Sequence, residues 1–273
     1  MKKVFVYLLL VTFTAASTLS CSSIRKIAGK NNIYSIDDDL ALGKDADKQI
    51  KADTKTYTFL KPTDPNYKEV TAYVDRIMKK LLDANAVPHE DKFNYNVQVL
   101  KDEVVNAFAT AGGYLYFYYG IMKMLDNEAQ FAGVVAHEMG HISNRHATNS
   151  MTAQQITGGL LGLALSLGGA GETAQGVAGL AYNLAFLKYG RDAEEEADRS
   201  GAAWMAKTDY NPYEMQGFFK KVKDAQRPPE FLSTHPDPEN RIKYIGETLK
   251  KMGALNQGQT YAERYQEFKK LLK

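Results

Sequence analysis

His137-Glu138-Met139-Gly140-His141 is a His-Glu-x-x-His run, and it sits inside a segment that reads as one amphipathic helix. Two histidines four residues apart lie on the same helical face, one turn above the other. Two imidazoles placed that way can share a single tetrahedral Zn²⁺. Glu138, one position beyond the first histidine, is rotated by about 100° and addresses a metal-bound water instead of the metal.

The host segment, residues 126–146, supports the motif. Asp126 or Asn127 can cap the helix, and Glu128 in the first turn suits the helix dipole. Phe131, Val134, Val135, Met139 and Ile142 supply apolar faces at helical spacing. An unpartnered imidazole in such apolar surroundings is costly. The competing reading is two core histidines with satisfied hydrogen bonds.

A third ligand has to come from elsewhere. His146 lies nine residues after His137, about 180° around a continued helix, so it is expected to point away from the metal. A metzincin pattern would place Gly at 144 and His at 147, where this chain has Asn144 and Ala147. A second helix can instead supply a glutamate, as in thermolysin-like sites. The run Arg191-Asp192-Ala193-Glu194-Glu195-Glu196-Ala197-Asp198 offers one. Glu194 and Asp198 are a turn apart on one face, so one can bind metal while the other supports a ligand histidine. The alternative for this run is a solvated acidic face, to which a Glu195–Arg199 pair at i,i+4 would belong.

HEMGH together with RDAEEEAD resembles the gluzincin family of zinc metallopeptidases that includes HtpX, the CAAX prenyl proteases, the mitochondrial Oma protease and BepA, in its short periplasmic lipoprotein-type form. Asn106-Ala107-Phe108-Ala109-Thr110-Ala111-Gly112-Gly113-Tyr114 and Ser233-Thr234-His235-Pro236 with Glu239-Asn240-Arg241-Ile242 extend the likeness over about residues 40–250. Gly190 and Ala111 depart from the family pattern, which has Ser and Pro at those places. The resemblance implies a zincin-like metalloprotease domain with Glu194 as third ligand and Asp198 as the supporting acid.

It also implies that the strand after Gly113 lies beside the active site. Tyr114-Leu115-Tyr116-Phe117-Tyr118-Tyr119 is β-prone, and Gly112-Gly113 is a turn back from a strand near Val104–Thr110. Read as an edge strand, it would hold an extended peptide by main-chain hydrogen bonds, with Asn106, Gly113, Tyr114 and Tyr116 as substrate-binding residues. The other reading is an aromatic strand packed in the core. His235, in a Thr-His-Pro turn, can stabilise the oxyanion of a tetrahedral intermediate or approach the metal. Otherwise it holds a helix start with Pro236 and Pro238. Arg241 braces the same loop or the site's carboxylates.

The N-terminus bears on compartment. Met1-Lys2-Lys3 is a basic start, Val4–Val11 a short apolar stretch, and small residues lead to Cys21, the only cysteine. The apolar stretch is too short for a retained span. Thr18-Leu19-Ser20-Cys21 resembles a bacterial lipobox, which makes Cys21 the lipidated residue of an outer-membrane lipoprotein facing the periplasm. With a single cysteine there is no intramolecular disulfide. Removing residues 1–20 lowers Lys+Arg from 34 to 32, against 32 Asp+Glu, so nothing recommends a nucleic-acid partner. Membrane attachment then comes from lipid.

The pattern predicts a mostly helical α+β fold with a small sheet whose edge strand lies beside the zinc helix. Helices are expected at about 40–53, 67–85, 126–146, 184–207, 211–223 and 238–252, with strands near 93–100, 104–110 and 114–119. The expected organisation is a signal peptide at 1–20, a lipid-anchored tether at 21–38, a peptidase domain at 39–255 and a C-terminal amphipathic helix at 256–273. Residues 156–171, rich in Gly, Leu and Ala, are either a buried helical hairpin or a lid over the zinc. The functional expectation is a zinc endopeptidase of the bacterial envelope with one zinc per chain, held by His137, His141 and Glu194. Glu138 is its general base and His235 its oxyanion partner, and its clients are misfolded or stalled envelope proteins. A metal-binding chaperone and a non-catalytic structural lipoprotein are the rival readings.

Overall fold

The computed structural model describes residues 32–167, 189–223 and 228–273, with side chains given up to residue 156 of the first stretch. The leader, Cys21, most of the tether, and the start of the 184–207 helix lie outside the described residues. So does the side-chain packing that would decide between hairpin and lid at 156–171.

The chain divides into two compact units. In the smaller, Asn32 donates to Thr148 Oγ1 at 2.9 Å and accepts from the Thr152 hydroxyl at 3.2 Å. No described helix is long and apolar enough to cross a membrane.

The larger unit opens with α1 (Ile36–Ala52), which starts four residues earlier than expected because Asp37, Asp38 and Asp39 suit a first turn. After it come α2 (Tyr67–Leu82), β1 (Asn96–Leu100), β2 (Ala107–Ala109), β3 (Tyr114–Tyr118) and α3 (Tyr119–Met124). The site helices follow: α4 (Glu128–Ser143), α5 (His146–Leu167) and α6 (Arg191–Met205). The chain then folds as α7 (Glu214–Lys223), α8 (Phe231–Thr234), α9 (Pro238–Lys251) and α10 (Ala262–Lys269). The last helix packs into the same core through Tyr265 and Phe268.

The three strands lie in the order β1-β3-β2. β3 pairs parallel with β1, Asn96 opposite Tyr114, and antiparallel with β2, Phe108 opposite Tyr116. The strand after Gly113 is therefore central, and its reading as an edge strand is corrected. A strand laddered on both sides has no main-chain groups left for a peptide. The edge beside the zinc helix is β2.

Both faces of the sheet are covered. Leu115 and Phe117 face the main core with Ala107 and Ala109, whereas Tyr116 and Tyr118 join Phe108, Tyr57 and Ile50 on the other side. That double burial explains the unbroken apolar run of β3. The small Ala107 and Ala109 accompany the packing of β2 on α4, and Phe117 meets Phe131 of α4 edge-on at 5.4 Å.

Every residue of α4 is buried, so the helix has no solvent-facing side and is not amphipathic. Asn127 is the cap: its Oδ1 accepts from the Gln130 N–H at 2.9 Å. α4 crosses α6 where both carry small residues. A Cβ on Gly140 would stand 3.0 Å from Ala197 Cα and O, and one on Gly201 would stand 3.1 Å from the Ala136 carbonyl carbon. This close approach brings the acidic face of α6 against the two histidines.

Candidate active site

His137 and His141 project from α4 with their Nε2 atoms 2.9 Å apart. From α6, Glu194 places Oε2 3.6 Å from His137 Nε2 and Oε1 3.6 Å from His141 Nε2. His235, just past the short α8, sets Nδ1 3.3 Å from His137 Nε2 and 3.1 Å from Glu194 Oε1. Phe231 of α8 stacks on the His235 ring at 4.3 Å and fixes its plane. All four side chains are buried, and their donor atoms lie within 4.8 Å of one another.

The donor set fits zinc. Bonds of about 2.0–2.1 Å in a tetrahedron separate ligand atoms by roughly 3.3 Å. The separations of 2.9–3.6 Å among the His137, His141 and Glu194 donor atoms bracket that value. Two imidazoles and a carboxylate are also zinc's usual partners in thermolysin-like sites.

The electrostatics agree. Burial, reinforced by Arg241, holds His137 well below the usual imidazole value, and burial with the neighbouring histidines does the same for His141. Both rings are therefore neutral, the form that binds metal. Burial raises the Glu194 carboxyl, but His235 and Arg241 outweigh it, so Glu194 titrates below the usual range and is ionised. Burial lowers His235, and Glu194 with Glu138 turns the net shift upward.

Glu138 faces the same space. Both its carboxylate oxygens are buried and lack a hydrogen-bond partner among the described residues. Oε1 lies 3.6 Å from His235 Nε2. A buried carboxylate left unpartnered is expensive unless something polar enters beside it. Burial pushes its pKa up to about 7, with Glu194 adding to the rise and His235 and Arg241 opposing it. A general base works best at such a value.

Asp198, one turn beyond Glu194, places Oδ1 3.1 Å from His137 Nδ1. It also accepts from Arg241, which is buried beneath the site on α9. Pro238 at the start of α9 and the periodic Arg241, Ile245 and Leu249 turn that guanidinium inward. The Arg241 Nη1 reaches Glu194 Oε2 at 2.7 Å, and its plane lies over the Phe219 ring at 4.3 Å.

His137, Glu138, His141, Glu194, Asp198 and His235 lie together in one place. Asn106, Gly113, Tyr114 and Tyr116 do not join them. Tyr116 is fully buried and donates its hydroxyl to Asp47 at 2.9 Å. Asn106 Oδ1 accepts from the Ala107 N–H, and Gly113, at φ 111°, lies against the Asn94 carbonyl. These residues support the sheet.

Two side chains escaped the sequence reading. Tyr189 stacks on His141 at 4.1 Å and 15°, with no motif to announce it. His146 was expected to point away, yet its Nδ1 lies 2.8 Å from His141 Nδ1. α4 ends at Ser143, and Arg145 takes a left-handed φ of 56°, so the chain turns before His146 opens α5. The 180° argument assumed a helix that does not continue.

Comparison with known proteins agrees with this geometry. Residues 68–249 match Peptidase family M48. The chain is 34% identical over 188 residues to the beta-barrel assembly-enhancing protease of Escherichia coli K12, covering 63% of this chain and 37% of that one. It is 30% identical over 222 residues to the protein of the same name from Yersinia pestis, covering 76% and 43%. It is 27% identical over 223 residues to mitochondrial metalloendopeptidase OMA1 of Schizosaccharomyces pombe, covering 80% and 63%. The chain spans less than half the length of the two bacterial relatives.

Proposed function

The chain belongs to peptidase family M48, and from that premise we propose that it is a zinc-dependent endopeptidase of the bacterial envelope. The observation that carries this reading is Glu138, a fully buried carboxylate with no hydrogen-bond partner among the described residues, beside the His137–His141–Glu194 donor set.

His137, His141 and Glu194 would hold the zinc. When bound, the metal supplies a Lewis acid that polarises the scissile carbonyl and acidifies water. Glu138 takes the proton of the attacking water at a carboxylate oxygen and delivers it to the leaving amine. His137 Nδ1 has Asp198 Oδ1 at 3.1 Å and Arg241 Nη2 at 2.9 Å; with Nε2 on the metal, its Nδ1–H would donate to Asp198, which fixes that ring's tautomer. Arg241 pairs with Asp198 and Glu194 from below. His235 stands among the ligand atoms, which favours approach to the metal over an oxyanion role when no substrate is present. β2, the sheet's edge on α4, replaces β3 as the strand that an extended peptide would join.

The clients would be misfolded or stalled outer-membrane proteins. Support comes from the two bacterial relatives, named for enhancing β-barrel assembly. The leader at 1–20, lipidation at Cys21, the tether at 21–38, the peptidase domain at 39–255 and the closing helix at 256–273 complete the proposal, with the domain facing the periplasm from an outer-membrane anchor.

The test is Glu138→Gln, which keeps size and removes the base. Hydrolysis of unfolded casein should fall by roughly 10²–10⁴-fold while bound zinc stays unchanged. Equal hydrolysis by wild type and variant would overturn the assignment of Glu138. Absence of hydrolysis by zinc-loaded wild type on casein and on an unfolded β-barrel protein would turn the reading toward a chaperone.

A further inference from the structure

The two ligand histidines are braced in different ways. His137 Nδ1 meets the Asp198–Arg241 ion pair, with Asp198 Oδ1 at 3.1 Å and Arg241 Nη2 at 2.9 Å. His141 Nδ1 instead meets another histidine, His146 Nδ1, at 2.8 Å. We propose that His146 and Glu196 form an outer hydrogen-bonded relay that positions His141 and strengthens its hold on the metal. The proposal rests on the zinc reading above.

The proton order follows from valence. A neutral imidazole carries one ring proton. With His141 Nε2 turned to the ligand cluster, that proton sits on Nδ1, and Nδ1 donates. His146 Nδ1 must then accept, which leaves the His146 proton on Nε2. That nitrogen lies 3.3 Å from Glu196 Oε2, an acceptor. Each donor therefore meets an acceptor, in one direction, from the buried ligand to a carboxylate whose side chain is 61% exposed.

The fold builds the relay deliberately. Arg145, at φ 56°, breaks the helix so that His146 swings back beneath His141. Arg145 is held by the buried Asp39 of α1, and Asn144 donates to Ser200 of α6 at 3.1 Å. Glu196 comes from the same helix as Glu194 and Asp198. One helix thus supplies a metal ligand, the brace of His137 and the end of the His141 relay. Groups of this kind make a ligand imidazole more basic and hold its plane.

The experiment measures zinc dissociation constants by competition with a chromophoric chelator for wild type, His146→Leu, His146→Asn and Glu196→Gln. Histidine ¹H–¹⁵N spectra of the zinc-loaded wild type give the tautomers. His146→Leu, which cannot accept a hydrogen bond, should weaken zinc by about 10–100-fold. His146→Asn keeps an acceptor at the Nδ1 position and should stay within about threefold of wild type. Glu196→Gln, at an exposed site that tolerates change, should weaken zinc about threefold to tenfold. The spectra should show His146 protonated at Nε2. Zinc affinity unchanged in both His146→Leu and Glu196→Gln, or a His146 proton on Nδ1, would overturn the relay alone. If His146→Leu does not fold, Glu196→Gln and the tautomer decide. A wild type that takes up no zinc would overturn the relay together with the reading beneath it.

Discussion

Arg241 and Asp198 form a two-pronged ion pair in the interior, with Nη2 2.7 Å from Oδ1 and Nε donating to Oδ2. Both side chains are almost fully buried. Burial pushes the Asp198 carboxyl up, and the guanidinium opposes that rise. The pair lies directly under His137, so the support of the metal site and the charge balance of the core are one structure.

Arg241→Met should therefore be costly. Removing one partner of a buried pair leaves an uncompensated charge and typically costs about 3–5 kcal/mol. Here two carboxylates, Asp198 and Glu194, lose their guanidinium and keep only histidine contacts among the described residues. Urea unfolding of the metal-free protein should show a clear drop in midpoint. Arg241→Lys should recover little of it, since a point charge cannot reproduce the fork. A midpoint equal to wild type for Arg241→Met would contradict the pairing.

Gly140 is set by close approach and not by backbone freedom. A larger residue gains helix propensity, worth up to about 1 kcal/mol relative to glycine. Against this, a Cβ would press on Ala197 Cα and O at 3.0 Å, and helix backbone cannot give way as a side-chain tip can. Gly140→Val should lose about 3 kcal/mol of stability and weaken zinc uptake, because α6 carries Glu194. Denaturant unfolding with parallel zinc titration checks both. Unchanged zinc affinity would show that α6 does not move.

Acid should destabilise the fold through Glu128. Burial raises this carboxyl, but Arg76, Arg264, Tyr210 and Tyr73 all donate to it and hold its pKa at about 2, against 4.5 unperturbed. A depressed folded pKa stabilises the protein above the unfolded value and loses that contribution as pH falls from about 4.5 towards 2. The amount is on the order of 2–3 kcal/mol, since Arg76 and Arg264 are partly exposed. Glu128→Gln should be less stable at pH 7 and show a flatter decline between pH 4.5 and 2. Parallel acid limbs for variant and wild type would refute the assignment.

Much of the site was legible in the sequence because its chemistry is local. The His137–His141 spacing fixes a shared face within one turn, and Glu194–Asp198 does the same on α6. A cap at Asp126 or Asn127 was recognisable beside an apolar run, and the structure uses Asn127. The failures were non-local. Strand order is not written into β3, though its unbroken Tyr114–Tyr118 run is what a strand covered on both faces requires. His146 was misplaced because a single left-handed residue, Arg145, ends the helix, and its side chain gives no warning of it. Arg241 was readable as a brace for its loop or for the site's carboxylates, and the packing of α9 on α6 decides for the carboxylates.

Zinc content is the measurement that bears most directly on the central claim. Elemental analysis of wild type and Glu194→Ala, both purified without chelator, should find one zinc per wild-type chain. The variant should lose its metal on dialysis against a chelator that wild type withstands. A wild type that is metal-free and cannot take up added zinc would contradict the account.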